Sequence, residues 1–75
     1  MKILGIDPGT SIIGWGIIEK NTNIRPVAYS SILTAKDSKL ADRLEQIYNE
    51  LTEIIKIYKP DVAAVEELFF VKNVK

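Results

Sequence analysis

Apolar positions in this chain fall into four short runs and one long stretch of helical period. Residues 2 to 7, Lys-Ile-Leu-Gly-Ile-Asp, are nearly continuous in apolar character, too short for a helix, and closed by Pro8-Gly9. That pattern predicts a buried strand ending in a turn. Residues 12 to 19 predict a second strand. Two-residue alternation puts Ile13, Trp15 and Ile17 on one face and Ile12, Gly14, Gly16 and Ile18 on the other. Thr10 and Ser11 between these strands read as turn-formers of a hairpin, and Asn21-Thr-Asn23 supplies the next turn. A third strand is predicted over residues 24 to 34. Pro26 within it has no N–H for a ladder bond, so this strand belongs at an edge or carries a bulge.

Residues 39 to 58 change period. Leu40, Leu44, Ile47, Leu51, Ile55 and Tyr58 recur at steps of three and four, the signature of one helical face. Asp37 or Ser38 is positioned to cap the start, and Pro60 stops continuation after Lys59. Lys56 and Lys59 oppose the helix dipole in the last turn. After Asp61, Val62-Ala-Ala-Val65 is small and apolar on both sides, which suits a central parallel strand. A right-handed crossover through the helix brings this fourth strand beside the first. The expected architecture is an α/β mixed sheet of order 3-2-1-4, with the first and fourth strands parallel.

That order gives two residues a common meaning. Asp7 closes the first strand and Glu66 directly follows the fourth. An isolated carboxylate at a strand end is most often a solvated residue, and Asp-Pro-Gly alone reads as a turn. Two carboxylates at adjacent carboxyl ends of parallel strands converge and can hold a divalent cation. The chain has no histidine and no cysteine. Imidazole and thiolate ligands, disulfides and a Ser-His nucleophile pair are therefore excluded within it. Oxygen-only ligands favour Mg2+, or Mn2+, over zinc.

Composition adds limits. Seventy-five residues, 47% of them apolar, make one small folded domain near the size at which a single core is marginal. Gly5, Asp7 and Pro8 interrupt the apolar start too early for a signal peptide or membrane helix, so a cytoplasmic protein is expected. Ten basic and ten acidic residues cancel. A protein held to DNA mainly by charge shows a basic excess, so composition weighs mildly against nucleic acid. Acidic nuclease sites reduce the force of that argument.

Three segments resemble the RuvC family of Holliday-junction resolvases, which have the RNase H-like fold. They are Gly-Ile-Asp-Pro-Gly-Thr at 5 to 10, Gly-Trp-Gly at 14 to 16, and Pro-Asp-Val-Ala-Ala-Val-Glu-Glu-Leu-Phe-Phe-Val-Lys-Asn at 60 to 73. The resemblance spans the whole chain and is most specific in the third segment. It implies a structure-selective endonuclease that cuts four-way DNA junctions by metal-dependent phosphodiester hydrolysis in recombination and repair. It also implies a homodimer working with the branch-migration proteins RuvA and RuvB. Asp7 matches the family's first acidic position and Glu66 its second. The remaining ligands come from a late helix that this chain does not contain. Residues 1 to 75 are thus expected to be the N-terminal half of one nuclease domain, inactive alone and lacking the fifth strand and covering helices.

Phe69 matches a family position associated with junction DNA and is assigned to base stacking, Phe70 to packing. Lys72 and Asn73 are candidate phosphate contacts, with Lys75 beside them, though a solvated charge run would look the same. Alternation points Glu67 away from Glu66. Trp15 reads as core because its face also carries Ile13 and Ile17, whereas Gly14 and Gly16 imply another element packed closely over the opposite face. Asp-x-Gly-Thr also opens actin-like ATPases and sugar kinases, in which Asp7 and its hairpin would bind nucleotide phosphate. Glu66 and Phe-Phe-Val-Lys-Asn do not suit that reading. A YqgF-type nuclease would be expected to lack the aromatic pair and Lys-Asn. A binding or assembly fragment without catalysis is the third alternative.

Overall fold

A computed structural model of the chain describes residues 1–9 and 11–65. Its elements follow the order β1 (Lys2–Pro8), β2 (Ile12–Lys20), β3 (Ile24–Leu33), α1 (Leu40–Tyr58) and β4 (Val62–Val65). They form one sheet of order β3-β2-β1-β4. β1 pairs antiparallel with β2 and parallel with β4, and β2 pairs antiparallel with β3. The two hairpins and the crossover through α1 are those expected from the sequence.

The alternation in β2 sorts the two faces. Leu4, Ile13, Ile17 and Ile32 point to one side and are buried there with Ile54 of α1. Trp15 joins this layer, with its ring centroid 6.0 Å from that of Tyr58. Its assignment to the core holds. The opposite face carries Ile12, Gly14, Gly16 and Ile18. The nearest atoms to a Cβ placed at Gly14 or Gly16 belong to neighbouring strands of the same sheet, at 3.7 Å or more. The described residues therefore supply no close-packed element over these glycines.

Pro26 proves to be at an edge and beside a bulge. Ile17 faces Ala28 while Ile18 faces Pro26, so Val27 is an extra residue on the β3 side. The inserted residue interrupts the β2–β3 ladder at this place, and the neighbouring proline is tolerated because β3 is an edge strand. Gly9 closes the first hairpin for a steric reason, since a Cβ there would run into the Ile12 carbonyl.

Two expectations for the helix need correction. The N-cap is Lys39, in an extended conformation and without a side-chain cap bond. Asp37 and Ser38 precede the cap position, and Ser38 donates its N–H to the Ala35 carbonyl in the turn that leads into the helix. The buried stripe is Ile47, Leu51, Ile54 and Tyr58 rather than the face that begins at Leu40. Leu44 is 55% exposed and Ile55 48%, whereas Ile54 is 8% exposed. The apolar arc of α1 is wider than the strip a narrow sheet can cover, and periodicity alone does not set the rotation of a helix about its axis. At the other end, Lys59 adopts the left-handed conformation and donates its N–H to Ile55, a helix-ending bond of the expected kind. Pro60 follows.

Candidate metal site at the strand ends

β1 carries Asp7 to the edge of the sheet. Alternation puts Asp7 on the same face as Gly5, opposite to buried Leu4, and its cross-strand neighbour is Gly14. A Cβ at Gly14 would lie 3.9 Å from the Asp7 Cβ. The glycine thus leaves the space beside the carboxylate clear. Asp7 is exposed, and no hydrogen bond or ion pair holds its carboxylate among the described residues. It lines a shallow groove of about 390 Å³ with Gly5, Gly14, Gly16, Ala64 and Val65. An exposed, unengaged carboxylate with open space beside it fits a hard divalent cation as an oxygen donor.

The parallel pairing of β1 and β4 supplies the second half of the geometry. The register runs Ile3–Val62, Leu4–Ala63, Gly5–Ala64 and Ile6–Val65. Asp7 follows Ile6 in the chain and Glu66 follows Val65. Glu66 itself lies outside the described residues, as do Thr10, Glu67, Phe69, Phe70, Lys72, Asn73 and Lys75. Among the described residues no three acidic, histidine or cysteine side chains cluster in a way that could hold a metal. Within the described part, Asp7 is the sequence-predicted site residue, and β4 approaches it in parallel as required.

Sequence reasoning gave no role to the opposite end of the β1–β4 pair. There the Lys2 N–H donates to the Asp61 carboxylate at 2.8 Å, and the Asp61 N–H donates to the Lys2 carbonyl at 2.8 Å. The signal was available in the numbering. Lys2 precedes Asp7 by the same interval as Asp61 precedes Glu66.

No helix among the described residues is long and apolar enough to cross a membrane. In comparisons with known proteins, the family model described as crossover junction endodeoxyribonuclease RuvC matches residues 3–75. Relatives of that name from Desulforamulus reducens and Fusobacterium nucleatum are 53% and 46% identical over the whole of this chain, which covers 47% and 40% of their lengths. The chain thus spans about half the length of these curated relatives or less. Among solved structures, Thermus thermophilus RuvC in complex with a Holliday junction substrate superposes with a TM-score of 0.83 at 25% identity. That match covers 97% of this chain and 48% of the other. The Aquifex aeolicus PPX-GPPA enzyme matches at 0.65 with 18% identity over 87% of this chain and 25% of its own. That second likeness is one of fold alone. With the match running nearly end to end, and with the sheet order of the RNase H-like fold in place, the chain belongs to the RuvC family of crossover junction endodeoxyribonucleases.

Proposed function

We propose that residues 1–75 form the N-terminal half of a nuclease domain that resolves four-way DNA junctions. The observation that carries this reading is the parallel β1–β4 register. Its last described pair, Ile6–Val65, stands one residue before Asp7 on one strand and before Glu66 on the other. The relatives' name and the junction-bound Thermus thermophilus structure support the substrate class.

In this reading Asp7 and Glu66 hold Mg2+, with Mn2+ as a substitute, together with acidic ligands from outside this chain. The bound metal supplies an activated water and stabilises the leaving oxygen in phosphodiester hydrolysis. Asp7 contributes negative charge and an unhindered oxygen donor. Gly14 keeps its flank open. Phe69 stacks on an unpaired base at the branch point, a contact worth about 1–3 kcal/mol, while Lys72 and Asn73 bind backbone phosphate. The protein acts as a homodimer in the cytoplasm, in recombination and repair, alongside RuvA and RuvB. Two sites in one dimer account for paired, symmetric cuts. The 75-residue chain alone, holding at most two of the site's carboxylates, is inactive as a nuclease.

The test is Asp7→Asn in the full-length protein. The substitution preserves shape and removes the charge that holds the cation. Junction cleavage is expected to be lost while junction binding in gel shift stays close to wild type. Near-normal cleavage at saturating Mg2+ would remove Asp7 from the metal site.

A further inference from the structure

The reciprocal bonds between Lys2 and Asp61 start the β1–β4 ladder, and one of them is made by a side chain. The Lys2 N–H is held by Asp61 Oδ2 and the Lys2 carbonyl by the Asp61 N–H, each at 2.8 Å. Lys2 Nζ adds a bond of 3.1 Å to the Tyr58 carbonyl. This satisfies one of the carbonyls left over at the end of α1 and ties β1 to the turn from which β4 departs. The ladder then proceeds Ile3–Val62 through Ile6–Val65. Asp7 lies five residues past Lys2, and Glu66 five past Asp61. The clamp at one end of the pair is thus in step with the level at which Asp7 and the last described residue of β4, Val65, arrive at the other.

Among the described residues little else in β4 selects that register. The strand is four residues long, its sequence Val-Ala-Ala-Val is the same in both directions, and all four residues are exposed. Register is firmly specified where one face is buried and weakly where it is not. A slip of one residue would turn the fourth strand's side chains to the other face. A slip of two would keep the face but shift the strand by roughly 6.6 Å, at about 3.3 Å per residue. Either would separate two ligands that must share one cation.

We propose that Asp61 is a positioning residue for the metal site, its carboxylate fixing the β1–β4 register that brings the end of β4, which Glu66 follows in sequence, level with Asp7. This rests on the reading of those two carboxylates as a shared site. What matters is an acceptor oxygen at the Asp61 position rather than its charge. Asp61→Asn keeps that oxygen and loses the charge. Asp61→Glu keeps the charge and moves the oxygen by one methylene. Asp61→Ala loses both.

The experiment uses the full-length protein and follows Mn2+ binding by calorimetry, the Mg2+ midpoint for junction cleavage, amide exchange at Lys2 and Ile3, junction affinity and melting temperature. Asp61→Asn is expected within about twofold of wild type. Asp61→Ala and Asp61→Glu are expected to raise the Mn2+ Kd and the Mg2+ midpoint about tenfold, the low end for residues that orient metal ligands. Their Lys2 amides should exchange faster, and junction affinity should be unchanged. The inference is overturned if Asp61→Glu matches wild type while Asp61→Asn matches alanine, because charge is then the active property. It is also overturned if melting temperature falls with no change in the metal midpoint. Should Asp61→Ala fail to fold, the Asn and Glu pair decides alone. Asp7→Asn serves as the control. Undiminished Mn2+ binding in that variant would overturn the shared-site reading. Loss of binding there, with an unmoved midpoint in Asp61→Glu, would overturn only the register.

Discussion

The two faces of the sheet are built from alternate residues of the same strands, yet they are under different physical constraints. On the helix side, Leu4, Ile17 and Ile32 are almost completely buried beneath α1, with Ile17 at 0% exposure. On the other side, Asp7 stands free, Gly14 and Gly16 carry no side chain, and Tyr29 beside Gly16 is 82% exposed. The covered face holds the strands in place through the area it removes from water. Among the described residues the open face makes little contribution of that kind, and this leaves Asp7 available for chemistry. Stability and activity are therefore expected to separate by residue parity along β1 and β2.

Ile17→Ala offers the severest test of that separation. Truncating a fully buried isoleucine costs about 2–5 kcal/mol, so denaturant melts of the full-length protein should show a large loss of stability. The catalytic rate of the folded fraction should change little. A loss below about 0.5 kcal/mol would mean that the covered face is not the structural one. On the other face, Asp7→Asn should cost at least about a hundredfold in cleavage, equivalent to roughly 2.7 kcal/mol of barrier, yet leave the same melts nearly unmoved. Strong destabilisation by Asp7→Asn would erase the contrast between the faces.

Smaller effects sharpen the comparison. Lys59 holds φ 50 and ψ 59 at the end of α1, a conformation that costs a side chain roughly 1 kcal/mol. Lys59→Gly should raise stability by up to that amount, and a decrease would show that the lysine side chain offsets its own strain. Tyr29→Ser, on the open face, should alter stability by less than about 0.5 kcal/mol. A larger loss would mean that this face is covered in the full-length protein.

The topology could be read from the sequence because it depends on few, strong signals. Pro26 marked an edge or a bulge, the period over 39–58 marked a helix, and a right-handed crossover left β4 one natural place. The place of Asp7 was legible because it ends an apolar run next to Pro-Gly, and it lies near the carboxyl end of β1. The rotation of α1 was not legible. Leu44 and Ile55 are as apolar as Ile54, and only the width of the sheet decides which of them it covers. The Lys39 cap was equally hidden, because the helix begins one residue beyond the polar pair Asp37-Ser38 and its cap makes no side-chain bond that a residue type could announce. Asp61 escaped notice because its partner is a backbone amide distant in sequence, and such a bond leaves no mark in composition or period.

The bulge at Pro26 and Val27 also matters while the protein is being made. Synthesis delivers the β1–β2–β3 meander before α1 and β4 exist, so both faces of a young sheet meet the cell uncovered. Chains at that stage are prone to join edge to edge. On the outer side of β3, a visiting strand would meet a proline without a donor and a ladder knocked out of step by one residue. The β1 edge stays regular, and it is the one β4 must find. Proline and bulge together thus discourage strangers on one flank while the other stays open for its own strand.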